Sequence, residues 1–170
     1  VVEKGYAGRL AFVQGRLDVG EALAPPLIRR VKEHADAHAT VILDAPPGTA
    51  CPVVETVKGS DFCLLVTEPT PFGLHDLALA FEVAQRIGVP CGVVLNRAGM
   101  GDEGVADYCR QKGIPLLLRL PFGREIAQAY ARGLPLVEAQ PRWRQEFARL
   151  AEVIRAILTG LRPGRAEPGE

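Results

Sequence analysis

No lysine in this 170-residue chain follows a glycine: Lys4, Lys32, Lys58 and Lys112 stand after Glu3, Val31, Val57 and Gln111. The chain therefore lacks a Gly-Lys-Ser/Thr loop, in which backbone amides and one ammonium surround a phosphate. Serine occurs once, at Ser60, outside any nucleophile-elbow pattern, so serine-hydrolase chemistry has no material. The four cysteines, Cys51, Cys63, Cys91 and Cys109, include no Cys-x-x-Cys pair that would suggest zinc or an iron–sulfur cluster. Twenty basic and twenty acidic residues cancel, leaving no global field that would favour nucleic acid or an anionic membrane. No run of eighteen apolar residues and no signal-peptide pattern is present, and a cytoplasmic location is the default expectation. With Val1 first and Met100 the only methionine, the chain is expected to be the downstream part of something longer.

What is present is apolar enough, at 48% hydrophobic residues, to bury one good core and suits a single compact domain. The run Leu10–Val13, between glycines, predicts a lead-in strand or hairpin within residues 1–20. Pro25 and Pro26 suit the first turn of a helix reaching about Ala39, and a buried strand Thr40–Leu43 follows. A short helix near Pro52–Lys58 leads to a second apolar strand, Asp61–Thr67. Leu77, Phe81, Ala84 and Ile87 recur at helical spacing, which predicts an amphipathic helix over 74–87. Strand Cys91–Leu95, a helix near 103–112, strand Pro115–Leu120 and a last helix carrying Trp143, Phe147, Leu150, Ile154, Ile157 and Leu161 complete the order. Cys63 and Cys91 fall in strands and Cys109 in a helix, where a free thiol behaves as a small hydrophobe. Alternation of this kind predicts an α/β domain over 21–161, a mostly parallel sheet with helices on both faces, and a flexible tail over 162–170. Ligand residues are then expected on the loops that follow the strands.

Two strand ends carry the suggestive polar side chains. Asp44 closes the run Thr40–Leu43 and precedes the turn Pro46-Pro47-Gly48, where the prolines fix φ and glycine allows close backbone approach. In nucleotide hydrolases an aspartate so placed holds a magnesium-bound water, and an amide like that of Gly48 senses the γ-phosphate. The same aspartate could instead cap the following helix. Asn96 ends the run Val93-Val94-Leu95, and its amide can pair with adenine N6 and N7 at two points or simply close the strand with an Asx-turn. The spacing Gly99-x-Gly101-x-x-Gly104 starts too far past the strand for a dinucleotide fingerprint, and Asp102 and Glu103 would repel a pyrophosphate, so it reads as a flexible turn. His34 and His38 lie four apart on the predicted helix, but Ala35 stands where a zinc protease needs glutamate.

The segments Asp44-Ala-Pro-Pro-Gly-Thr-Ala-Cys-Pro52, Val66-Thr-Glu-Pro-Thr-Pro-Phe-Gly-Leu-His-Asp76, Leu95-Asn-Arg97 and Leu120-Pro-Phe122 with Glu125-Ile-Ala127 together resemble the MinD/ParA/Mrp superfamily of deviant P-loop ATPases. The resemblance is nearest to the branch with an inserted ferredoxin-like domain. It implies a SIMIBI-type, P-loop NTPase-like fold, ATP and magnesium as ligands, and a homodimer around the nucleotide. It makes Asp44 the magnesium-side aspartate and Gly48 the switch glycine, and it places Asn96 and Arg97 with Pro121 and Phe122 at the base. The family's first strand, its Gly-Gly-x-Gly-Lys-Thr loop and the cysteine clusters of the inserted domain have no counterpart here. The chain is therefore expected to be an incomplete, C-terminal part that hydrolyses no ATP alone, any iron–sulfur cluster belonging to an upstream domain and none to this chain. The partners implied are the upstream part of the same polypeptide and a second copy, with neither nucleic acid nor membrane. The missing strand would lie between those ending at Asp44 and Thr67, so either those two close directly or another chain repairs the gap. Two other readings stay open: a non-enzymatic interaction or dimerisation module, and an ATP-dependent amide synthase or ligase with the same core.

Overall fold

The computed structural model describes residues 1–17 and 24–160. The chain falls into two compact units, Val1–Ser60 with Val83–Val89, and Asp61–Glu82 with the residues from Pro90 onward. Leu161 and the tail 162–170 lie outside the described residues.

The first unit opens on an antiparallel hairpin, β1 (Val2–Ala7) and β2 (Leu10–Gly15). Gly8 takes φ +59° in its two-residue turn, a conformation glycine adopts without a Cβ penalty. Helix α1 (Ala24–Lys32) packs on β2, where Gly15 leaves room for Leu27 and Val31. It ends seven residues short of the predicted Ala39, and residues 33–39 form no helix. His34 and His38 therefore do not share a helix, and the His38 N–H is taken by Asp36 Oδ1 at 2.9 Å. Helix α2 (Cys51–Val57) follows, and Lys32 Nζ donates to the carbonyls of Glu55, Thr56 and Lys58 at 2.9, 3.0 and 2.6 Å. One ammonium thus satisfies three carbonyls that the end of a short helix leaves open.

The predicted strand 40–43 does not form. Residues 40–46 join no ladder, and Ile42 is 88% exposed. An apolar run of this kind becomes a strand only when neighbours supply its hydrogen bonds and cover its faces. No strand among the described residues supplies them to 40–46.

The second unit holds a parallel sheet ordered β3 (Cys63–Thr67), β4 (Cys91–Ala98), β5 (Leu116–Pro121). Helix α3 (Pro71–Ile87) connects β3 to β4, and α4 (Gly104–Lys112) connects β4 to β5. Leu77 and Phe81 of α3, Val93 and Leu95 of β4, and Val105, Cys109 and Ile114 form the core, as alternating faces and helical stripes require. After β5 come α5 (Arg124–Ala131), α6 (Leu136–Ala139) and α7 (Arg142–Leu158); Trp143 is buried at the start of α7. β3 pairs only with β4 among the described residues. No helix among the described residues is long and apolar enough to cross a membrane.

Candidate functional site

In the second unit the carboxyl ends of all three strands are tied together. β4 runs past the expected Leu95, through Asn96 and Arg97 to Ala98, but its register with β5 shifts between Leu95 and Ala98. Arg97 sits in this irregularity with φ +52°, a conformation costly for a residue with a side chain. Its backbone N–H is satisfied by Asn96 Oδ1 at 3.0 Å. Ala98 then pairs with Pro121, and its carbonyl accepts the Phe122 N–H at 3.0 Å.

The loop after β3 reaches the same place. Arg97 Nη1 lies 3.2 Å from Glu68 Oε2, and Gly101 lies so close to the Pro69 carbonyl that a Cβ there would overlap it. Gly99-x-Gly101 is thus a packed contact between two loops, not the flexible turn its sequence suggested. The β3 loop is itself tightly wound: buried Thr67 donates its hydroxyl to the Gly73 carbonyl at 2.7 Å, and Thr70 Oγ1 accepts the Gly73 N–H at 3.0 Å.

Pro121 and Phe122 line a cleft of about 330 Å³ with Arg124, Ile126, Gln140 and Arg142. That is the lower end of the range for small-molecule pockets. Phe122 is 57% exposed, so its ring is available for stacking. Gln140 braces the rim, donating to Glu125 Oε2 at 3.2 Å and accepting from Trp143 Nε1 at 3.1 Å and Arg142 Nη2 at 3.0 Å. Arg119 grips Glu103, just before α4, with two hydrogen bonds of 3.2 and 2.9 Å, and that fork holds the Glu103 carboxyl below its ordinary range.

Of the six residues singled out from sequence, the second unit gathers four: Asn96, Arg97, Pro121 and Phe122. Asn96 Oδ1 has a second lone pair and its NH₂ has two donors, so a base edge can still be met at two points. Asp44 and Gly48 belong to the first unit, in the exposed stretch before α2, with Gly48 at φ +94°. Asp44 is not delivered by a strand end as expected. Among the described residues no group of three or more His, Cys, Asp or Glu could hold a metal ion. Glu68, Arg119 and the Gln140 bracket were not expected. Only Glu68 carried a usable signal, directly after a strand's last residue, where open sheets place their ligands.

No protein-family model matches the chain. An uncharacterized protein of Methanocaldococcus jannaschii is 24% identical over 92% of the chain and 55% of its own length. An uncharacterized ATP-binding protein of that organism is 29% identical over 75% of the chain and 50% of its own length. An iron-sulfur cluster carrier protein, also from that organism, is 22% identical over 67% of the chain and 45% of its own length. Among solved structures, the cell division ATPase MinD of Pyrococcus furiosus matches 79% of the chain and 57% of its own length, with TM-score 0.60 and 27% identity. In sequence and in fold the chain is similar to proteins of the MinD/Mrp kind. Its α/β architecture, a parallel sheet with helices, is the P-loop NTPase-like fold of MinD. The chain spans about half the length of the curated relatives it matches.

Proposed function

We propose that this chain is the C-terminal part of a MinD/Mrp-like ATPase, that it holds the adenine end of ATP, and that it does not hydrolyse ATP alone. The observation that carries this reading is the convergence of Asn96, Arg97, Pro121 and Phe122 at the ends of β4 and β5, beside a cleft that the exposed Phe122 ring borders. Asn96 meets the base edge and Phe122 stacks on its face, while Arg97, locked to Glu68, holds the adjoining loop in place. Asp44 provides the magnesium-side carboxylate and Gly48 the amide near the γ-phosphate. Bound magnesium supplies charge neutralisation at the phosphates; the Gly-Lys loop that would cradle them is absent from these residues.

In this reading the upstream part of the same polypeptide supplies the first strand and the lysine loop, and any iron–sulfur cluster lies there. The edge of β3 without a strand partner among the described residues is the place for that strand. Two complete copies then sandwich the nucleotides in a cytoplasmic homodimer. A two-point base contact contributes roughly 1–3 kcal/mol, whereas even millimolar binding needs about 4 kcal/mol, so the half-site binds ATP weakly. A turnover assay with magnesium and ATP tests the catalytic part of this reading: background-level phosphate release is expected, and clear magnesium-dependent hydrolysis by this polypeptide refutes it.

A second reading, an α/β docking module without catalysis, has one specific support. Leu64 and Val66, on one face of β3, are 38% and 63% exposed.

A further inference from the structure

Three of the four cysteines converge at the amino end of the sheet. Cys63 and Cys91 are the first residues of β3 and β4 and are in-register partners in their parallel ladder. The Cys63 N–H also donates to the Pro90 carbonyl at 2.8 Å, so the two strands are bonded at that point. Cys63 leads the half-buried and buried positions Leu65 and Thr67, and Cys91 leads Val93 and Leu95, so both thiols stand on the face covered by the core. Cys109 of α4 is packed into that core. Neighbouring strands run about 4.7–4.9 Å apart, inside the Cα separation of roughly 4.4–6.8 Å over which a disulfide forms. Both residues are only half-buried, open enough for a small reagent.

We propose that Cys63 and Cys91 are a dithiol site that closes to a cross-strand disulfide by exchange with a low-molecular-weight disulfide. The Cys63 thiolate, on the edge strand, attacks R–S–S–R and expels one thiolate, RS⁻. The Cys91 thiolate then attacks the Cys63 sulfur of the mixed disulfide and expels the second. Two protein thiols are oxidised by two electrons, the reagent is reduced to two RSH, and the protons pass from the cysteines to the departing thiolates. The bond ties the edge strand to its neighbour at the end opposite Glu68 and Arg97. Burial pushes the Cys91 thiol up to about 11, with Cys63 and Cys109 adding to it, and burial also raises Cys63. Closure is therefore slow near neutrality and speeds up about tenfold per pH unit as the thiolate fraction grows.

Exposed Cys51 is first replaced, as Cys51→Ser, to prevent links between chains. That protein is incubated with oxidised glutathione from pH 7 to 9, alkylated, and mapped by mass spectrometry without reduction. The expected result is a Cys63–Cys91 peptide, an intact mass lower by two hydrogens, and a rate rising across the range. Adding Cys91→Ser should leave Cys63 as the glutathione mixed disulfide, while adding Cys109→Ser should leave the crosslink intact. Phenylarsine oxide, which bridges close thiols, is a second probe: one arsenic per chain is expected, lost with Cys91→Ser. Alkylation of both Cys63 and Cys91 after long incubation at pH 9, or a crosslink through Cys109 in place of either, overturns the proposal.

Discussion

The side-chain oxygen of Asn96 accepts the backbone N–H of Arg97 at 3.0 Å, at the only non-glycine residue with positive φ among the described residues. This bond lets β4 leave its regular ladder with β5 without orphaning an amide. Asn96→Ala should therefore destabilise the fold by about 1 kcal/mol, while Asn96→Asp, which keeps the acceptor, should cost less. Urea unfolding checks this: the Ala variant's midpoint falls with an unchanged slope. Equal midpoints for wild type and Asn96→Ala would show that the bond carries no weight.

Two neighbouring glycines are expected to fail for different reasons. Gly101 has no positive φ, and its substitution drives a Cβ into the Pro69 carbonyl. Gly101→Ala should cost about 1–3 kcal/mol by overpacking and separate the two loops. Gly99 has open space around it but φ +91°. Gly99→Ala should cost about 1–2 kcal/mol through backbone strain, and Gly99→Asn, which tolerates the left-handed region, should recover part of that loss. Thermal melts of the three variants decide it; a neutral Gly101→Ala would mean that the loops are not in contact.

The Glu103–Arg119 fork makes stability depend on pH in a defined direction. Arg119 lowers the Glu103 carboxyl in the folded state from its ordinary value of 4.5. The unfolded chain then binds the proton more readily, so the pair's contribution is fully present above pH 4.5 and is lost as pH falls through the lower folded value. Wild type should exceed Glu103→Gln in melting temperature at pH 7, and the difference should shrink below pH 4.5. High salt should also shrink it, because both side chains are exposed. A difference that grows on acidification would contradict the assignment.

Most of the second unit was legible in the sequence because its helices advertise their buried faces. Leu77 and Phe81 recur at helical spacing and are both buried, and Trp143 heads the stripe of α7. The apolar runs around Leu65 and Val93 likewise became adjacent parallel strands. The run Val41-Ile42-Leu43 has the same character, yet it forms no strand. Side-chain pattern reports what a segment can bury, whereas a strand also needs a neighbour's N–H and C=O groups, which no local pattern contains. The site was half legible. Asn96 and Phe122 stood out as residues at strand ends, but the register shift at Arg97, the pressed loops at Gly101 and the Glu103–Arg119 fork are non-local. Their partners lie 16 to 32 residues away in sequence, as the pairs Arg119 with Glu103 and Gly101 with Pro69 illustrate.

The most direct test of the account is an amide NMR titration of this polypeptide with magnesium and ATP, which detects binding too weak for calorimetry. Saturable shifts are expected at Asn96, Arg97, Phe122 and Gly123, with an apparent dissociation constant of about a millimolar or weaker. GTP should produce smaller shifts, and Asn96→Ala should remove them. Shifts confined to other residues, or none at Asn96 and Phe122 at saturating ATP, would contradict the claim that these strand ends hold the base.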